Sequence, residues 1–148
     1  MDSRLKRGGA AVLAAVAVAL LLHWFGPSCT TSNETMTVNG DHLIIEGDLK
    51  NWSGKEANFL VVYDLYGADG VWLGNAVGMA FMVGSGETGR LYAFGTDAVV
   101  DTPLVDDAPP PYDVLIAMGS GEDGDGVRFE NAGLVTRFRL KGAVSMAF

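Results

Sequence analysis

The hydrophobic pattern of this chain changes once, close to its N-terminus. Residues 10–25 form an apolar run interrupted by a single histidine, and Arg4, Lys6 and Arg7 precede it. Positive charge before an apolar run is typical of export and membrane-insertion segments, so the residues after the run are expected outside the membrane. Beyond Cys29 no apolar run of this length recurs, and apolar and polar residues alternate over short stretches instead.

The length of the run leaves the fate of this segment open. A spanning helix needs about 17–25 residues and a cleaved signal core about 7–15, and this run has 16. The only cysteine, Cys29, follows closely, which is similar to a lipoprotein signal, although Gly26 and Pro27 replace the aliphatic and small residues of that pattern. Residues 1–28 are therefore predicted to be one apolar helix that acts as a signal peptide or membrane anchor. Three fates remain: retention as an anchor, lipidation at Cys29, or cleavage and secretion.

Two boundaries divide the rest of the chain. The Gly-Pro pair and the polar stretch after it separate the apolar run from everything downstream, which disfavours a buried helix of a soluble protein. Residues 29–40 are predicted to be a linker, and residues 41–148 to be one domain. Because the chain has one cysteine, the domain contains no internal disulfide and its hydrophobic core must hold it together.

The domain is predicted to be all-β, because turn residues separate short alternating stretches and no 3.6-residue apolar period persists. Asn58 to Tyr66 is apolar on both faces, as in a central strand covered on both sides. Leu134 to Lys141 alternates most clearly, with Phe138 on its apolar face and Arg139 on its basic face. The other predicted strands are His42 to Lys50, Val71 to Leu73, Val77 to Val83, Arg90 to Phe94 and Tyr112 to Met118. Short strands at this spacing favour an antiparallel β-sandwich.

The net charge of the domain excludes some classes of partner. The chain has 18 acidic and 10 basic residues and a net charge of −8, and residues 29–148 contain 17 of the acidic and 7 of the basic ones. Such a surface is unsuited to nucleic acid, whose phosphates bind Lys and Arg, and to anionic lipid headgroups. The expected partners are the membrane, reached through the N-terminal segment, and an envelope protein or polymer.

Three motifs between Ile45 and Phe94 resemble the FxLYD type of immunoglobulin-like domain, which is found on exported and membrane-anchored prokaryotic proteins. The matching stretches are residues 46–55 (a strand and an Asn-x-Ser turn), 63–71 (the signature strand and hairpin) and 83–87 (a Gly-Glu turn). Tyr63 and Gly67 stand where the family usually has Phe and Asp. The resemblance implies an Ig-like antiparallel β-sandwich that serves as a scaffold and has no catalytic residues to transfer.

Residues with catalytic or metal-binding chemistry are sparse after the leader. His42 is the only histidine there, so a Ser-His-Asp or Cys-His arrangement would depend on it alone. Because it follows Asp41 at a strand start, it is interpreted as a solvated turn residue. The carboxylates Glu122, Asp123 and Asp125, separated by glycines, are candidates for a calcium site, and the alternative is an acidic surface loop. No catalytic or cofactor-binding residue is predicted.

The sequence thus predicts a membrane-tethered, Ig-like module without catalytic activity that binds or supports other components of the cell envelope. One alternative is a subunit of a cell-surface assembly joined by pairing of edge strands. The other alternative is a small exported enzyme.

Overall fold

The computed structural model describes residues 27–119 and 127–147, and most of these residues lie in β-strands. The strands are β1 (Cys29–Asn39), β2 (His42–Asn51), β3 (Ala57–Tyr66), β4 (Trp72–Val83), β5 (Thr88–Thr96) and β6 (Arg137–Met146). One helix, α1 (Tyr112–Gly119), lies between β5 and β6 in the chain, and two 3-10 turns lie at Ala68–Gly70 and Ala132–Leu134. The predicted all-β class is confirmed.

The strands form one antiparallel sheet with the order β1-β2-β5-β4-β3-β6. The sheet curls, so that Cα atoms of the edge strands β1 and β6 come within 8 Å of each other. Curling gives the sheet a concave inner face and a convex outer face. We call the end where β1 begins and β2 ends the N-terminal end of the sheet, and the opposite end the far end.

The inner face carries the main hydrophobic core. Phe59, Val61, Tyr63 and Leu65 of β3 point into it and are fully buried. They pack with side chains from the other strands and from the segment before β6, among them Leu43, Ile45, Leu49, Leu91, Ala93 and Phe129. The alternation predicted for Asn58 to Tyr66 is therefore confirmed.

A smaller cluster lies on the outer face, so β3 is covered on both sides as predicted. Leu60 and Val62 of β3 pack there with Val77, Val100, Val114, Ala117 and Met146. Asn75 holds the connection after β5 against this face, because its Oδ1 accepts a hydrogen bond from the Val100 amide at 3.0 Å. The Asn75 amide group in turn donates to the Tyr63 carbonyl at 3.1 Å.

Residues 29–40, predicted to be a linker, form strand β1 instead. β1 pairs with β2 from Cys29 to Asn39, with one register shift between Ser32 and Thr35. β1 is an edge strand with mostly exposed side chains, so its sequence is polar although its backbone is part of the sheet. The folded domain therefore includes Cys29 to Asn39 as well as the residues after them.

The segment Tyr112 to Met118, predicted to be a strand, is helix α1. Its β-branched Val114 and Ile116 favour a strand, but the proline run before it ends in Pro111, whose carbonyl accepts a helical hydrogen bond from the Leu115 amide at 3.1 Å. Val114 and Ala117 lie three residues apart and are both buried against the outer face.

The last strand begins later than predicted, at Arg137 rather than Leu134. Leu134 closes a 3-10 turn and is 61% exposed, whereas Val135 is buried, so the predicted orientation of these two side chains is wrong. Phe138 packs on the core as predicted. The two predicted strands after Gly70 form one continuous strand, β4.

No helix among the described residues is both long and apolar enough to cross a membrane. The apolar run of residues 10–25 lies outside the described residues.

Candidate functional site

A cleft lined mainly by apolar residues lies on the outer face, between α1 and strands β4 and β5. It has a volume of about 290 Å³. The residues that line it are Val77, Gly78, Met79, Tyr92, Phe94, Ala117, Met118 and Val127. We call it the outer cleft.

The floor of the outer cleft is set by the register between β4 and β5. Val77 pairs with Phe94 and Met79 pairs with Tyr92, which sets apolar side chains next to each other on the same face. The two aromatic rings are incompletely covered, with 45% of Tyr92 and 38% of Phe94 exposed. α1 covers the neighbouring part of the outer face but leaves these rings open to solvent.

A row of charged side chains borders the outer cleft on the side of β2. The Arg90 guanidinium lies 3.1 Å from an Asp48 carboxylate oxygen and 3.3 Å from a Glu46 oxygen. It also lies over the Tyr92 ring, 5.9 Å from the centroid. Hydrogen bonds from Asn33 and Arg90 lower the pKa of Asp48, so this carboxylate stays charged and keeps Arg90 in place. An apolar floor with a polar rim is the usual anatomy of a protein-binding surface.

Cys29, the predicted lipidation candidate, is the first residue of β1, and its side chain packs into the inner core. It is 4% exposed, and burial raises the pKa of the thiol to about 11. In this position the thiol is therefore protonated and shielded.

His42 lies at the start of β2, next to Val127 of the outer cleft. Its Nδ1 lies 3.0 Å from the Val127 carbonyl oxygen, and its Nε2 lies 3.5 Å from an Asp41 oxygen. The Val127 contact attaches the segment before β6 to the beginning of β2. His42 is therefore a partly buried strand residue with a structural role, not the solvated turn residue that was predicted.

The calcium candidates Glu122, Asp123 and Asp125 lie outside the described residues. Within residues 27–119 and 127–147, no group of three or more His, Cys, Asp or Glu side chains is placed to hold a metal ion. The calcium site stays a prediction.

Tyr92 and Phe94 were not predicted from the sequence to be functional candidates. A signal was present, because Arg90, Tyr92 and Phe94 alternate on one face of β5 and none of them is small. What the sequence lacked was the position of α1, which decides whether that face is covered.

Comparisons with known proteins give no match: no family model, no curated protein and no solved structure is significantly similar to this chain. Its function must therefore be argued from the geometry of the outer cleft.

Proposed function

We propose that this chain is an extracytoplasmic binding module of the cell envelope, tethered to the membrane by its N-terminal segment and without catalytic activity. Its outer cleft receives a large apolar side chain from a basic segment of an envelope protein. The observation that carries the proposal is the outer cleft itself, in which Tyr92 and Phe94 remain partly exposed beside α1.

Partly exposed aromatic rings in a concave site favour binding, because covering them removes apolar surface from water at about 25 cal/mol per Å². The volume of about 290 Å³ suits one or two side chains rather than a large cofactor. Residues 29–148 carry 17 acidic and 7 basic residues, so a basic segment is attracted and an acidic one repelled.

We further propose that the curled sheet is an Ig-like arrangement of two leaves, β1-β2-β5 and β4-β3-β6, joined where β4 meets β5. Their ladder is short, running from Asn75 to Met79 on β4. Gly78 lies at this corner, where a Cβ atom would clash with the Tyr92 carbonyl oxygen. The inner core fills the space between the leaves, and the FxLYD-like motifs span β2 to β5. These features support the Ig-like interpretation.

Peptide display against the full chain reconstituted in nanodiscs tests the binding proposal. Enrichment of sequences with a large apolar residue flanked by Lys or Arg is expected. The double variant Tyr92→Ser/Phe94→Ser should lose at least tenfold in affinity for the selected peptides. The matched control Val71→Ser/Leu134→Ser removes two exposed apolar side chains at the far end and should bind normally. The proposed partner would be rejected if both double variants bound the peptides equally well. It would also be rejected if a parallel glycan screen selected a polysaccharide and the display selected no peptide.

The tether is tested by replacing Cys29 with Ser and fractionating membranes. If the apolar run of residues 10–25 is the anchor, membrane association is unchanged. If Cys29 carries a lipid, the variant appears in the soluble fraction, and in that case the thiol of Cys29 cannot occupy its buried position in the inner core.

A second candidate function is a subunit of a surface assembly joined by edge-strand pairing. It is favoured by the two edge strands, β1 and β6, which are adjacent but not joined in a hydrogen-bonded ladder. Asn33 has a φ of 53° at the register shift of β1, and such irregularities oppose pairing along that edge. Light scattering of the full chain in detergent separates the two functions, because an assembly grows with concentration and a monomeric binder does not.

A further inference from the structure

We propose that the N-terminal end of the sheet docks directly on the membrane surface, with Phe81, Met82 and Val105 inserted into the interfacial layer. This inference rests on the membrane tether of the proposed function and adds an orientation and a lipid-contacting surface to it. We call this set of three side chains the docking patch.

The tether between the apolar run and the domain is short. Ser28 is already fixed to the domain: its carbonyl accepts a hydrogen bond from the Trp52 amide at 2.8 Å, and its hydroxyl donates to Asp106 at 2.6 Å. The apolar run ends at Phe25, three residues earlier. Three residues span at most about 10 Å. When the run is embedded in a bilayer, the N-terminal end cannot stand away from the surface.

Exposed apolar side chains lie at the same end of the sheet. Phe81 is 64% exposed, Met82 is 72% exposed, and Val105 is 63% exposed. Phe81 and Met82 lie in a register shift close to the end of β4, where Ala57 pairs with Val83. Val105 directly precedes Asp106, the residue that holds Ser28. The docking patch and Ser28, where the tether reaches the domain, therefore lie at the same end of the sheet.

The backbone at the docking patch is held in an uncommon conformation. Met82 has a φ of 50°, in the left-handed region that residues other than glycine rarely adopt. The Met82 amide donates to the Asn58 side-chain oxygen at 2.8 Å, which stabilises this conformation. Bulges of this kind redirect side chains, and here two adjacent apolar side chains are presented to solvent.

Trp52 lies at the same end in a setting typical of membrane interfaces. Its ring is half-buried, its indole N–H donates to the Thr30 hydroxyl at 2.9 Å, and the Lys50 ammonium lies 4.4 Å from the ring centroid. Trp and Lys are common at the headgroup level.

The charges at the N-terminal end of the sheet exclude electrostatic attraction as the main contribution to membrane docking. Lys50 and Lys55 are basic, but the acidic Glu56, Glu87, Asp106 and Asp107 lie there as well. Docking must therefore come from apolar insertion, and we expect it on zwitterionic lipid and at high salt.

Site-specific labelling of the full chain in phosphatidylcholine vesicles tests the orientation. The variants Met82→Cys and Leu134→Cys place an environment-sensitive fluorophore at the N-terminal end and at the far end; Leu134 is 61% exposed, similar to the docking patch. Cys29 does not interfere, because it is buried and its thiol pKa is raised to about 11. Doxyl-labelled lipid should quench the label at position 82 at least threefold more strongly than the label at position 134.

Val105→Cys serves as a second label at the N-terminal end, in case Met82→Cys fails to fold. The difference between the ends should persist in 1 M NaCl. Equal quenching at both ends, or a difference that disappears in salt, overturns the docking proposal. Vesicle flotation of the same samples checks the tether. If the protein floats with the vesicles but the label at position 82 is not quenched, the docking is refuted and the tether is not. If the protein does not float, both the tether and the docking are refuted.

Discussion

The inner and outer faces of the sheet are both apolar, but they differ in how completely they are covered. On the inner face, Phe59 and Tyr63 are 0% exposed, because the curl of the sheet closes around them. On the outer face, α1 and the segment before it cover β3 and leave Tyr92 and Phe94 of β5 open. The same alternating chain thus builds a closed core on one side and an incompletely covered apolar surface on the other.

This difference shows that the type of side chain does not by itself distinguish a buried core from a candidate binding site. The residues of the outer cleft would suit a core equally well; what distinguishes them is one short helix that stops before it covers them. The inner face should therefore dominate the free energy of unfolding, and the outer face should dominate binding.

The largest effect on the free energy of unfolding is expected when a phenylalanine is replaced by alanine on the inner face and, for comparison, on the outer face. Phe59→Ala should lower the free energy of unfolding by about 3–5 kcal/mol, because it leaves a cavity in a closed core. Phe94→Ala should cost only about 1–2 kcal/mol, because its ring is already partly solvated. Urea denaturation of the full chain in non-ionic detergent, followed by tryptophan fluorescence, measures both. Similar losses for the two variants would contradict the distinction between the faces.

The next largest effect on stability is expected at Asn51, the polar side chain that closes the inner core at the N-terminal end of the sheet. Asn51 is fully buried, its amide donates to the Lys55 and Val83 carbonyls at 2.7 Å, and its oxygen accepts from the Ser53 amide at 2.8 Å. Asn51→Ala should cost about 2–3 kcal/mol, because buried backbone groups lose their partners.

Asn39→Ala, at the exposed end of β1, is the matched control for Asn51→Ala and should change stability by less than about 0.5 kcal/mol. The same denaturation experiment applies. A neutral Asn51→Ala would show that water satisfies these groups and that the end of the inner core is open.

The inner face could be predicted from the sequence, and the outer cleft could not. β3 is flanked by strands and covered on both sides, so the two-residue period of Asn58 to Tyr66 identified its faces correctly. β1 escaped prediction because an edge strand keeps polar side chains even though its backbone is paired. α1 has only 8 residues, which is too short for a helical period to show. Since the outer cleft exists only where α1 crosses β4 and β5, no local pattern contains it.

A smaller effect on stability is expected at Asp113, which attaches α1 to the segment after β5. Asp113 accepts hydrogen bonds from the Asp101 and Thr102 amides, both at 2.9 Å. Burial alone would raise its pKa, but the hydrogen bonds from Thr102 and Asp101 prevail and hold the pKa below its usual value. A lowered folded-state pKa contributes stability that is fully present above the unfolded value of about 4 and is lost as pH falls through the folded value.

Asp113→Asn should therefore cost about 1 kcal/mol at pH 7, a figure reduced for partial solvent exposure, and the difference from the unmodified chain should shrink below pH 4. Asp69→Asn, which removes a carboxylate at the far end of the sheet, is the control. Urea unfolding at pH 7 and pH 3 provides the comparison. A difference that persists at pH 3 would mean that the charge of Asp113 does not hold α1.

The smallest effect tests whether the inner face is a fully apolar core. The Tyr63 hydroxyl is buried, and no group among the described residues lies in hydrogen-bonding geometry with it. Its ring packs edge-on against Phe138 at 5.7 Å between centroids, and burial, with the Glu34 carboxyl nearby, raises the pKa of the hydroxyl. Tyr63→Phe should leave stability unchanged or raise it by up to about 1 kcal/mol, because an unpaired polar group is costly in a core.

Tyr66→Phe is the control for this substitution, because Tyr66 is half-buried on the outer face with Arg137 5.2 Å from its ring, and its hydroxyl is not enclosed by the core. Paired urea denaturation curves resolve the two variants. A loss of more than about 1 kcal/mol for Tyr63→Phe would mean that the hydroxyl is hydrogen-bonded in solution. The curled sheet would then enclose a polar site on its inner face as well, and the outer cleft would no longer be the natural first place to look for a ligand.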